Sequence, residues 1–124
     1  MSAIYAHDVT LGASEVIQRA LRDCPFATAM IIHNDAAVVG APQAFERMGV
    51  HVPEDLSVVT IVPEQLGEGM QIPFDSVRVD VDMVASRTVD RLIERIGNPD
   101  APTTVELLDQ PLNIQGSVRA LHVG

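Results

Sequence analysis

Aromatic side chains are scarce in this sequence. They make up 3% of its 124 residues, and tryptophan is absent. Hydrophobic residues still account for 47% of the chain, and a chain of this length can bury a sizeable core. We therefore expect one domain, residues 1–124, with a core built mainly from Val, Ile, Leu, Ala and Met.

Cysteine and basic residues are also few. The single cysteine, Cys24, cannot form a disulfide within the chain, which excludes a small disulfide-held scaffold. Eight basic side chains against 17 acidic ones give a formal net charge of −9. Because DNA binding needs clustered lysine and arginine, we expect the chain itself not to bind DNA.

The sequence shows no pattern typical of a targeting or membrane segment. No apolar run approaches the roughly 18 residues of a membrane span. The first residues lack the basic start and apolar stretch of a signal peptide. These features predict a soluble protein of the cytoplasm without membrane contact.

Catalytic and metal-binding motifs are missing as well. The chain contains no GxSxG, GxGxxG or P-loop motif. Cys24 lies on an apolar helical face, which indicates a packed thiol rather than a nucleophile. The four histidines are far apart and lack ligand-like spacing; they are His7, His33, His51 and His122. We expect no metal, no cofactor and no catalytic residue, and hence not an enzyme.

Helical and extended patterns alternate along the chain. They predict helices over 12–24, 35–48 and 81–96, strands over 28–33, 56–62 and 76–79, and short extended pieces at 105–108 and 112–114. Residues 63–74 contain two prolines and two glycines and predict a loop. Strand 56–62 does not alternate polar with apolar residues, which is typical of a strand covered on both faces. This order predicts an α/β fold with a mostly parallel sheet and helices on both faces.

Helix 35–48 carries recognisable end signals and one unusual residue. Asn34 or Asp35 can cap its first turn, and Gly49 stands where a helix ends. Pro42 cannot donate a hydrogen bond to the carbonyl of Val38. We therefore expect Pro42 to kink or break the helix.

Polar residues follow two of the predicted strands. Asn34 and Asp35 come after the first strand, and Val62, Pro63 and Glu64 end the second. In sheets of this kind, ligands bind beyond the carboxyl ends of the strands. We predict that Asn34, Asp35, Val62 and Glu64 line a small-molecule site.

The stretch ATAMIIHNDAAVVGAPQAFERMGVHVPEDLSVVTI resembles the C-terminal subdomain of the effector-binding domain in the LacI/GalR family of bacterial transcription regulators. The matching positions are Asn34, Asp35, Gly40, Ala44, Gly49, Val52, Pro53, Asp55, Ser57, Val58 and Val59. The likeness continues through IPFDSVRVDVDMVASRTVDRLIERI to LLDQPLNIQGS, and so covers residues 12–118.

This resemblance implies one lobe of a type I, periplasmic-binding-protein-like domain that senses an effector of sugar or nucleobase size between two lobes. It also implies a homodimer and DNA binding only through an N-terminal headpiece that the sequence lacks, so we expect these residues to be the last part of a larger chain. Two alternatives are a lobe of an extracytoplasmic solute-binding protein and an interaction module without a ligand.

Two polar cleft positions of the family pattern are valine in this chain. The strand similar to 56–62 ends in Asp-Asp in the family, and the first of these binds effector hydroxyls; here the residues are Val62 and Pro63. A cleft-facing glutamine of the family is replaced by Val79, which completes the predicted site. The replacements favour an effector less polar than a standard sugar, because unpaired hydroxyls are costly to bury.

A dimer surface is also predicted from apolar residues that exceed one buried stripe. It combines helix 35–48 with the loop at 63–72. Its apolar side chains are Ala37, Val38, Ala41, Ala44 and Phe45 on the helix and Leu66, Met70 and Ile72 on the loop.

Overall fold

The computed structural model describes residues 12–69 and 72–121, which alternate between helices and strands as the sequence predicts. The helices are α1 (Ala13–Asp23), α2 (Asp35–Met48), α3 (Glu64–Gly69) and α4 (Val81–Gly97). The strands are β1 (Ala29–Ile32), β2 (Ser57–Pro63), β3 (Asp75–Val79) and β4 (Leu112–Asn113). His7, Met70 and His122, which entered the sequence predictions, lie outside the described residues.

The sheet has the strand order β1-β2-β3-β4. β1 pairs in parallel with β2, and β2 in parallel with β3, while β4 is antiparallel to β3. The predicted α/β class with an open, mostly parallel sheet is confirmed. The predicted extended piece Val105–Leu108 does not form a strand among the described residues.

The hydrophobic core lies between one face of the sheet and helices α1 and α2. Along β2, Val58, Thr60 and Val62 are buried and alternate with partly buried residues, so this face is covered more completely than the other. Phe45 of α2 and Phe74 meet edge to face with ring centroids 5.9 Å apart. The core is therefore mainly aliphatic, with one aromatic pair.

The helix ends follow the residue types at their boundaries. The Oδ1 of Asn34 accepts a hydrogen bond from the N–H of Ala37 at 3.0 Å, which caps α2. Gly49 ends α2 in the left-handed region at φ 66°. The Oδ1 of Asp80 caps α4 by accepting from the N–H of Met83 at 2.8 Å.

Two local predictions are wrong. The predicted loop contains α3, which begins directly after Pro63; a proline is tolerated there because the first helical N–H groups have no partner within the helix. Pro42 does not break α2, which is continuous from Asp35 to Met48. Pro42 is exposed on the outer side of the helix.

The predicted dimer surface is also wrong. The five apolar residues assigned to it on α2 belong to the core, because their spacing places them on one buried stripe of the helix. Ile72 is buried in the same core, and Leu66 packs against it.

Helix α4 is amphipathic, yet none of its residues is buried. Its exposed apolar side chains are Val81, Val84, Val89, Leu92, Ile93 and Ile96.

Glu106 joins the polar side of α4 to the following segment, because its carboxylate accepts hydrogen bonds from Arg87 and Arg91. These two guanidinium groups hold the pKa of Glu106 below its ordinary value, against the opposing effect of burial. Across the described ranges, every helix is too short or too polar to cross a membrane.

Candidate functional site

The carboxyl ends of three parallel strands form one edge of the sheet, which we call the carboxyl edge. Ile32 of β1 is paired with Thr60 of β2. Pairing then continues between β2 and β3 from Val62 with Arg78 to Pro63 with Val79. Neighbouring strands lie about 5 Å apart, so the three chain ends meet at one rim.

Asn34 extends this row by two residues. Ile32 is level with Thr60, and Val62 is level with Arg78, so Asn34 comes after the end of β1 on the β1 side of the Val62–Arg78 pair. Asn34 has an extended backbone and is exposed. Its Oδ1 serves as the helix cap, while its side-chain nitrogen donates to no described residue and faces solvent.

The other predicted site residues differ in accessibility. Asp35 is exposed, whereas Glu64 and Val79 are partly buried. Val62 departs from the prediction: it is only 1% exposed, because strand alternation turns its side chain towards the core with Val58. Its side chain belongs to the core, and its backbone lies at the carboxyl edge.

The two described hollows of the surface lie elsewhere. One, of about 560 Å³, separates the start of α1 from α2, and we call it the α1–α2 hollow; Gly12–Glu15, Asp35 and Gly40 contribute to it. The other, of about 480 Å³, lies beside Pro42 and Phe74. Asp35 is the one predicted site residue that lines either hollow. The carboxyl edge itself is an open rim, as expected for one side of a cleft.

Arg78 was missed by the sequence reasoning. It lies on β3 between Val77 and Val79 and is only 8% exposed. Its Nε is the one buried side-chain polar atom without a hydrogen-bond partner in the part of the chain that the structure describes. An arginine between two valines on a predicted strand was the available signal.

Asp75 was missed too, and it organises the start of β3. Its Oδ1 accepts hydrogen bonds from the N–H groups of Gln115 and Gly116 at 2.6 and 2.7 Å. Its own N–H donates to the Oγ of Ser117, which in turn donates to the carbonyl of Val58. Burial raises the pKa of Asp75, but the backbone N–H groups outweigh it and hold the pKa below its ordinary value. This network fastens residues 115–117 to the sheet.

Comparison with known proteins identifies the family of this chain. Residues 3–118 match the sequence pattern of a family described as periplasmic binding protein-like domain. The HTH-type transcriptional regulator MalR of Streptomyces coelicolor is 32% identical over 96 residues, which are 77% of this chain and 27% of MalR. The chain thus spans about a quarter of the length of this curated relative.

Solved structures agree on the fold. A putative LacI transcriptional regulator from Bacillus cereus subsp. cytotoxis superposes with a TM-score of 0.68 at 20% identity, covering 88% of this chain and 40% of that one. A LacI family regulator from Enterococcus faecium with bound ribose gives 0.62 at 20% identity, again with 88% and 40% coverage.

Proposed function

Because this chain belongs to the periplasmic binding protein-like domain family, in the form found in LacI-type regulators, we propose that it is the effector-sensing lobe of a bacterial transcription regulator. Its ligand is a small molecule of sugar size that binds at the carboxyl edge. We propose that the lobe is not an enzyme and works in the cytoplasm.

The observation that carries this proposal is the alignment of three parallel strand ends with an exposed amide beside them. Asn34 and Asp35 supply hydrogen-bonding groups at the end of β1, and Glu64 supplies a carboxylate at the end of β2. Val79 contributes an apolar surface at the end of β3. Such a rim recognises part of a ligand through a few polar groups and covers the rest with apolar contact.

The proposed role as a regulator lobe also implies a second copy of the chain and DNA as partners. We propose that the regulator acts as a homodimer and contacts DNA through an N-terminal headpiece rather than through these residues. The formal net charge of −9 supports this division, because phosphate contacts need clustered basic side chains.

Ligand-dependent stabilisation tests the function. The chain is heated with individual sugars and nucleosides at concentrations up to tens of millimolar, because half a cleft binds weakly. We expect at least one compound to raise the midpoint of thermal unfolding in a concentration-dependent way.

The matched variant is Asn34→Ser. Serine keeps the helix cap but lacks the amide nitrogen, so the unliganded protein should unfold near the wild-type temperature. The stabilisation by ligand should be lost. The absence of any stabilising compound, or equal stabilisation of the variant, would contradict the assignment of this site.

A further inference from the structure

Arg78 lies at the carboxyl edge on the covered face of the sheet. It is paired with Val62 of β2, and both positions alternate onto the same side of the sheet as Thr60 and Ser76. Asn34 follows the end of β1 by two residues, on the other side of β2. The row therefore has a guanidinium at one end, an apolar side chain in the middle and an amide at the other end.

A buried guanidinium needs acceptors. Arginine stays protonated in proteins, so burial cannot be relieved by losing the proton. An ion taken out of water is costly unless opposite charge and hydrogen bonds replace its hydration. Arg78 is only 8% exposed, and its Nε–H has no acceptor among residues 12–69 and 72–121.

The acidic residues of β3 and of the carboxyl edge do not serve as acceptors for the Arg78 guanidinium. The ion pairs among the described residues involve Arg19, Arg87 and Arg91 but not Arg78. Asp75 lies on the same strand, but its Oδ1 is held by the N–H groups of Gln115 and Gly116. Glu64 stands at the same edge without forming an ion pair.

We propose that Arg78 binds an oxyanion of the effector, so that the ligand class is an anionic sugar bearing a carboxylate or phosphate group. This inference rests on the proposed function, since it concerns the same edge. The planar guanidinium can donate two parallel hydrogen bonds to two oxygens of one anionic group. Asn34, at the end of β1, donates its free amide N–H to a ring hydroxyl.

Three matched ligands test the proposal: D-glucose, D-glucuronate and D-glucose 6-phosphate, titrated into the isotope-labelled chain and followed by NMR. We expect the charged sugars to bind at least about tenfold more tightly than glucose, as charge-assisted hydrogen bonds imply. The Nε–Hε signal of Arg78 should shift with the charged sugars and not with glucose. Preference between the two charged sugars identifies the anionic group.

Variants separate this effect from general charge attraction. Arg78→Met should lower the affinity for the charged sugars to that for glucose, and Arg78→Lys should keep part of it. Arg47→Met, which removes an exposed cation at the α1–α2 hollow, should change nothing. If Arg78→Met fails to fold, the proposal is tested by whether the Nε–Hε signal of Arg78 in the wild type shifts with the charged sugars and not with glucose.

Two results would overturn the inference in different ways. Equal binding of all three sugars at the carboxyl edge, with no response of Arg78, would refute the anionic class and leave the effector site in place. Failure of every sugar to perturb the edge would instead count against the proposed function as well.

Discussion

Among single residues, Asp75 has the strongest set of directed contacts described in the structure. One carboxylate oxygen accepts from successive backbone N–H groups at Gln115 and Gly116, and the side chain is nearly fully buried. Charged acceptors bonded to backbone N–H groups are roughly twice as strong as neutral ones. The segment around Ser117 therefore depends on one carboxylate for its attachment to the sheet.

Replacing Asp75 by alanine should lower the free energy of unfolding by about 2–3 kcal/mol, because buried N–H groups lose their acceptor. Urea denaturation measures the change. Asp90→Ala on α4 is the matched control, since Asp90 is exposed, and its effect should stay within about 0.5 kcal/mol. Equal effects at both positions would show that the network does not stabilise the fold.

Acid should weaken the same network. The pKa of Asp75 is lower in the folded state than the ordinary carboxyl value of 3.8, so its contribution is complete above that value and is lost as the pH falls through the folded pKa. The difference in unfolding free energy between wild type and Asp75→Asn should therefore shrink over an acid window that begins near pH 3.8 and extends down through the folded pKa. A difference that stays constant over this window would mean that the carboxylate charge is irrelevant.

Individual caps could be predicted from the sequence, whereas Asp75 and Arg78 could not. Asn34, Asp80 and Gly49 act on backbone groups within four residues, so their chemistry is local. The partners of Asp75 are about 40 positions away along the chain, and their proximity depends on how β3 meets the C-terminal segment. Arg78 is buried through its register with Val62, which no local pattern specifies.

Among the elements, the crossing of α1 and α2 is especially close at Gly40. A Cβ added there would stand 2.8 Å from the Cβ of Ala13 and 2.8 Å from the backbone nitrogen of Ser14. A backbone atom cannot yield as the end of a flexible side chain can. The glycine is therefore required by helix packing, although a glycine inside a helix is otherwise unfavourable.

Gly40→Ala should destabilise the chain by about 1–3 kcal/mol despite the higher helix propensity of alanine. Thermal unfolding followed by circular dichroism measures it. Gly97→Ala at the end of α4 is the matched control, because its added Cβ would meet nothing within 4 Å. A neutral Gly40→Ala would mean that α1 lies further from α2 than described.

Helix α4 shows why element patterns do not settle packing. Its apolar stripe correctly predicts a helix, yet the stripe alone does not say what it faces. In α2 the prediction failed in the opposite direction, because five apolar residues assigned to an exposed surface form one buried stripe instead. Periodicity identifies an apolar side, and only the tertiary arrangement decides whether it is covered.

For the whole molecule, the exposed stripe of α4 has a measurable consequence. Leu92, Ile93 and Ile96 are 57–71% exposed, and contiguous apolar surface of this kind promotes association. The isolated chain should self-associate with rising concentration in sedimentation velocity. Leu92→Glu combined with Ile96→Glu should reduce this, while Val39→Glu on α2 should not. A monomeric wild type would refute the prediction.

The central claim is that the carboxyl edge of β1, β2 and β3 is the effector site. The most direct measurement is backbone amide shift mapping with the compound that stabilises the chain most in the thermal assay. We expect the shifts to concentrate at Asn34, Asp35, Glu64 and Val79. Shifts centred instead on Ala13, Gly40 and Gln43, which line the α1–α2 hollow, would contradict it.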